Sequence, residues 1–128
     1  NGGAIRVSDA TIVAESLIGT GFPYCDYHLL DQYLALFKHL MQHSRGLRRP
    51  GSAATDLAYV AAGRFDGFYE YSLSPWDVAA GVLLVREAGG IVSNFTNGDD
   101  AIFVKEIIAD NSKIHNELFD LVSSFMKP

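Results

Sequence analysis

Two carboxylates sit on either side of one short connection. Glu70 ends an aromatic run, Phe68-Tyr69-Glu70-Tyr71, and Asp77 follows Ser72-Leu73-Ser74-Pro75-Trp76 at the head of an apolar segment. Carboxylate oxygens are hard donors that can ligate Mg²⁺ or accept hydrogen bonds from hydroxyl groups. The aromatic run reads as a strand and the Pro-Trp-Asp segment as a helix start. In open α/β sheets ligands collect at that edge, where strand C-termini and helix N-termini converge. Each acid also has a purely local reading. Ser74-Pro75-Trp76-Asp77 fits a helix-capping pattern, with Pro at the first helical position and an acid at the third, where it complements the helix dipole. Alternation places Glu70 opposite Tyr69 and Tyr71, so it could simply face solvent. A third candidate, Gly51-Ser52 with Ala53 after it, is either a plain helix start or an N-terminus whose free N–H groups face an anion or a sugar hydroxyl.

The elements that must position these residues alternate. Ile5-Arg6-Val7 reads as a short strand after an Asn1-Gly2-Gly3 turn, and Ser16 to Gly19 as a buried strand. Gly19-Thr20-Gly21-Phe22-Pro23-Tyr24 breaks the chain, as a loop at a strand end or an ordinary turn. From Asp26, apolar residues at Leu29, Leu30, Tyr33, Leu34, Phe37, Leu40 and Met41 recur at three and four, which predicts an amphipathic helix. Its histidines, His28, His39 and His43, read as surface groups without further ligands nearby. Leu47 to Pro50 is extended, and a thin, alanine-rich helix runs from Ser52, a good N-cap, to Gly63, a good terminator. Phe65 to Tyr71 is a strand, with Asp66 structural at its start. The next helix runs from Pro75 to Ala88, with Val78, Leu83, Leu84 and Val85 as apolar contacts. Ile91-Val92-Ser93 and Ile107-Ile108-Ala109 are strands around a turn whose Asp99-Asp100 pair reads as solvated. Asn111 or Ser112 caps a last helix, with Ile114, Leu118, Leu121, Val122 and Phe125 inward and His115 at the surface. Short connections between alternating strands and helices predict an α/β layered sandwich, a mainly parallel sheet flanked by helices.

The chain has 128 residues, 48% apolar and 20% charged, the size and composition of one globular domain. A net charge of -5 leaves no basic stripe, and Arg48-Arg49 is too small a cluster, so no nucleic-acid partner is expected. The single Cys25 allows no internal disulfide and suits a reducing compartment. No apolar stretch approaches the roughly 18 residues of a membrane span, and no targeting segment is visible, so a cytoplasmic location without membrane partners is expected.

Beyond these readings lies a resemblance. Trp76-Asp77-Val78-Ala79-Ala80-Gly81 with Glu87-Ala88-Gly89-Gly90 resembles the second signature of the inositol monophosphatase family of metal-dependent phosphatases. Arg48 to Ala54, Asp56 to Arg64 and Asp66 to Glu70 resemble consecutive blocks of that family. Gly19 to Tyr24 and Ile107 to Asn111 resemble its flanking segments. The resemblance implies that Asp77 ligates one Mg²⁺ ion, that Glu70 binds a substrate hydroxyl, and that Gly51, Ser52 and Ala53 line the sugar or inositol side of the pocket. It implies an inositol or sugar phosphate substrate, sensitivity to lithium, and a homo-oligomer.

The family's first half carries a metal-binding Glu and an Asp-Pro-Ile/Leu-Asp-Gly-Thr block, and this sequence has neither an Asp-Pro nor an Asp-Gly-Thr. Residues 1–128 are therefore expected to be a single domain, the substrate-side C-terminal half of such an enzyme, inactive without the missing N-terminal half. A nucleotide or fructose bisphosphatase and a non-catalytic regulatory module of the same fold remain the competing readings.

Overall fold

Ile18, Phe68, Tyr69, Ile107 and Ile108 are all fully buried, so the strands that carry them must be covered on both faces. The computed structural model describes residues 2–23 and 26–128. Expectations touching Asn1, Tyr24 and Cys25 lie outside the described residues. Five strands, β1 (Leu17–Thr20), β2 (Gly46–Arg48), β3 (Gly67–Tyr71), β4 (Ile91–Ser93) and β5 (Glu106–Asp110), form one sheet in the order β2-β1-β3-β5-β4. The β1–β2 and β1–β3 pairs are parallel, whereas β5 runs antiparallel to both β3 and β4. The layered α/β sandwich is as expected, but the sheet is mixed. The chain returns from β4 to β5 without a crossover helix, and a direct return can only pair antiparallel.

Four helices cover the sheet: α1 (Leu30–His43), α2 (Ala53–Ala61), α3 (Pro75–Glu87) and α4 (His115–Phe125). On one face Tyr69, Tyr71 and Ile108 pack with Tyr33, Leu36 and Leu40 of α1 and Leu118 and Val122 of α4. On the other, Phe68, Ile107 and Ala109 pack with Leu57, Val60 and Ala61 of α2 and Val78, Val82 and Val85 of α3. The helices α2 and α3 touch directly at Gly81, where a Cβ would run into Leu57. That near approach needs a residue without a side chain.

Several local expectations change. The first long helix starts at Leu30 rather than Asp26, because Asp26 uses its carboxylate to accept from the His28 N–H at 3.1 Å and forms a turn instead. Residues 5–7 are not a strand; they belong to a strap under the sheet. There the Val7 N–H donates to the Ala88 carbonyl at 3.1 Å, and Ser8 Oγ donates to Asp66 at 2.6 Å. Asp66 is structural as expected, since its other oxygen accepts from the Leu17 N–H at 2.7 Å. Leu83 and Leu84 are 61% and 41% exposed, whereas α3 buries Val78, Gly81, Val82 and Val85. Apolar residues occupy both sides of this helix, so periodicity could not choose between them. His115 is not a surface residue but is 6% exposed. Its Nδ1 meets the fully buried Asp110 carboxylate at 2.7 Å and its Nε2 meets Asn97 Oδ1 at 3.2 Å. Among the described residues no helix is long and apolar enough to cross a membrane.

Candidate active site

The parallel strands β1, β2 and β3 end at one edge of the sheet, and α2 and α3 begin there. Alternation along β3 points Phe68, and with it Glu70, toward the α2–α3 layer, while Tyr69 and Tyr71 face α1 and α4. Glu70 is therefore half-buried between sheet and helices rather than free in solvent. Its carboxyl lies against the backbone just after β1. A Cβ on Gly21 would overlap the Glu70 carboxylate, so that glycine makes the space the acid occupies. Burial, followed by the charges of Asp56 and Asp77, pushes the Glu70 carboxyl up to about 8, and Arg49 opposes the shift.

Asp77 sits at the third position of α3, where it takes the capping role read from the sequence. Asp77 Oδ2 accepts from the Ser74 N–H at 2.9 Å, the acid's half of a capping box. The same carboxylate acts electrostatically on Glu70. Ser52 caps α2, its Oγ accepting from the Thr55 N–H at 3.3 Å. Gly51 precedes it at φ 93°, a left-handed conformation suited to glycine. Gly51 and Ser52 are exposed and Ala53 is half-buried, so the start of α2 presents itself to solvent at this edge.

Three participants were not singled out as site residues from sequence. Asp56 lies one turn inside α2, its N–H donating to the Ser52 carbonyl at 2.9 Å. The residue is 1% exposed, yet neither carboxylate oxygen has a hydrogen-bond partner. Burial raises Asp56 to about 7, against a lowering by Arg49. The sequence signal was present: an acid four residues beyond an N-cap, in phase with the buried Leu57, Val60 and Ala61. Arg49 supplies the compensating positive charge, and its guanidinium lies 4.7 Å from the centre of the Phe22 ring. Gly21 is the third; only the packed structure reveals what its missing side chain leaves room for.

The structure thus places Glu70 near the end of β3, Asp77 in the first turn of α3, and Gly51, Ser52 and Ala53 at the start of the helix that carries Asp56. Among the described residues, no group of three or more His, Cys, Asp or Glu side chains is arranged to hold a metal ion. Mg²⁺ asks for near-octahedral oxygen coordination. Asp77 suits it as one hard donor, and these residues fit one arm of such a site, not its whole shell. The histidines of α1 take no part: His39 and His43 stack at 4.3 Å along the helix.

This arrangement can be set beside known proteins. The model of the inositol monophosphatase family matches residues 1–126. Nus factor SuhB of Pseudomonas aeruginosa is 45% identical over 130 residues, covering all of this chain and 48% of that protein. Nus factor SuhB of Escherichia coli K12 is 47% identical over 114 residues, 89% of this chain and 43% of its own. Among solved structures, the extragenic suppressor protein suhB of Bartonella henselae superposes with a TM-score of 0.86 at 45% identity, over 92% of this chain and 45% of its own. The inositol monophosphatase of Anabaena gives 0.82 at 40% identity, over 94% and 48%. The chain spans about half the length of the curated relatives it matches. Several of those relatives bear the name Nus factor. With a family match that runs from residue 1 to residue 126, the chain belongs to the inositol monophosphatase family.

Proposed function

We propose that the chain is the substrate-side half of a Mg²⁺-dependent phosphomonoesterase acting on inositol monophosphate or a related sugar phosphate. The observation that carries this reading is the placement of Glu70 near the end of β3 and Asp77 in the first turn of α3, at the edge where α2 and α3 begin. Glu70 accepts a substrate hydroxyl, and its depth in the layer makes that contact partly dry and directional. Gly51, Ser52 and Ala53 line the polyol side, where the first N–H groups of α2 have no carbonyl of their own turn to bond. Asp77, held in place by the Ser74 N–H, offers its carboxylate to Mg²⁺. Bound there, the ion would polarise a phosphoryl oxygen and make water a better nucleophile.

A preceding N-terminal half supplies the remaining metal ligands, and both halves are needed for turnover. The outward face of α3, with Trp76, Leu83 and Leu84 exposed, suits an apolar contact with that half or with a second copy in a homo-oligomer. The test is phosphate release from inositol 1-phosphate with Mg²⁺. The chain alone should be inactive, the chain joined to the preceding half active, and Asp77→Asn in the joined protein inactive. Turnover by the purified chain alone that vanishes in Asp77→Asn would sink the need for a second half. A joined protein that hydrolyses no polyol phosphate would sink the activity itself.

The names of the relatives favour a second reading, a Nus factor that works by binding partners. An Asp77→Asn protein that loses hydrolysis yet still replaces a Nus factor in cells would favour it.

A further inference from the structure

Arg49 stands where two edges of the site meet. Its guanidinium carbon lies 4.7 Å from the centre of the Phe22 ring. Phe22 follows Gly21, where a Cβ would overlap the Glu70 carboxylate. On the other side, a Cβ on Gly51 would come within 3.3 Å of Arg49 Nη1, so the guanidinium lies directly beside the residue that precedes the Ser52 cap. One cation thus spans the gap between the end of β1 and the head of α2. Arg49 is exposed, yet the ring beneath it is held in place. Phe22 packs edge-on against Tyr33 at 6.3 Å and against Phe37 at 6.1 Å, both on α1, and Tyr33 is buried. A guanidinium over an aromatic face is attracted by the ring's quadrupole, and its planar fork donates N–H bonds in pairs.

Position decides which anion this cation meets. In the function proposed above, the reacting phosphoryl group belongs with the metal at Asp77, in the first turn of α3. Arg49 instead borders Gly51, on the polyol side, so the anion within its reach is one carried by the polyol itself. A planar guanidinium matches two oxygens of a phosphate at once, a geometry that a single hydroxyl cannot use. The chain carries a net charge of -5, which repels a substrate bearing two phosphates, and a fixed cation at the mouth offsets that repulsion locally. Arg49 also acts on the Glu70 carboxyl, which it lowers. That effect would serve every substrate alike, whereas a grip on a second phosphate serves only substrates that have one.

Resting on that function, we propose that the Arg49 guanidinium, held over Phe22, is a specificity-determining group that selects polyol phosphates carrying a second phosphate. The test compares kcat/KM for inositol 1,4-bisphosphate and inositol 1-phosphate in the complete protein with Mg²⁺, reading release of the 1-phosphate from each. The bisphosphate should be preferred about tenfold, mainly through a lower KM, which is the order of one charge-assisted hydrogen bond. Rising salt should erode that preference. Arg49→Gln should cost the bisphosphate about tenfold more than the monophosphate. Arg49→Lys keeps the charge without the planar fork and should recover less than about a third of the lost preference. Equal losses for both substrates in Arg49→Gln overturn the proposal, being the mark of an effect through Glu70. So does full recovery in Arg49→Lys, the mark of charge without the fork. A complete protein that hydrolyses neither compound overturns the function above, and this role falls with it. One that hydrolyses the monophosphate and gains nothing from the second phosphate removes this role alone.

Discussion

Asp56 and Glu70 take up protons more readily in the folded chain than carboxylates do in an unfolded one. Their folded values are about 7 and about 8, against ordinary values near 4. The stability this contributes is fully present below the unfolded values and is lost as pH rises through the folded ones. The melting temperature should therefore fall between pH 5 and pH 8.5, and Asp56→Asn should flatten that fall in a thermal titration. A flat wild-type profile would mean the two acids ionise freely. Gly21→Ala offers a second test at this scale. The added methyl would meet the movable end of Glu70, so the chain should keep its melting temperature to within about 2 °C while inositol 1-phosphate binding by the complete protein weakens roughly tenfold, or about 1.4 kcal/mol. The positions of Glu70, Asp77 and Ser52, near a strand end and at two helix starts, were legible in the sequence because strand patterning and capping chemistry are local. Asp56 and Gly21 were not, since one needs the face of α2 and the other the gap beside β3, and both exist only after packing.

At the level of elements, α2 and α3 must approach closely for their N-termini to share one edge, and Gly81 permits it. Gly81→Ala should force the two helices apart and cost about 1–3 kcal/mol by overpacking, measurable by denaturant unfolding; an unchanged midpoint would show that the layer has slack. The start of α4 offers a sharper case. Asp110 is fully buried, and His115 is its side-chain partner at 2.7 Å, with the Ser112 N–H bonding its other oxygen at 2.9 Å. His115→Ala should cost roughly 1–3 kcal/mol, because the buried Asp110 Oδ2 loses its hydrogen-bond partner. Element positions were largely readable from periodicity, as α1 and α2 show, but His115 was misplaced at the surface. Its phase on α4 is that of the buried Leu118 and Val122, three and seven residues on, but the polar imidazole pointed outward in the sequence; the need it meets arises 5 residues upstream, on a strand the helix does not belong to.

For the molecule as a whole, the proposed N-terminal half should find its contact on the outward side of α3. Trp76 is 82% exposed there, and Trp76, Leu83 and Leu84 recur at helical spacing on one face. Trp76→Lys with Leu83→Lys should abolish co-purification of the two separately expressed halves while leaving this chain's circular dichroism unchanged; retained assembly would place the contact elsewhere. The α/β layering was legible in the alternation of elements, but the direction of β5 was not, since nothing in Glu106-Ile107-Ile108-Ala109-Asp110 marks which way a strand points. That strand pairs along the whole of β3, Gly67 against Asp110 and Tyr71 against Glu106, although other elements separate the two in the chain. During synthesis, at roughly 5–20 residues per second, about 2–8 s pass between making Tyr71 and making Asp110. Through that interval one edge of β3 has no partner, and the ribosome-bound chain carries an open template for pairing with its neighbours on the same message. The central strand of the finished sheet is thus the nascent chain's exposed one.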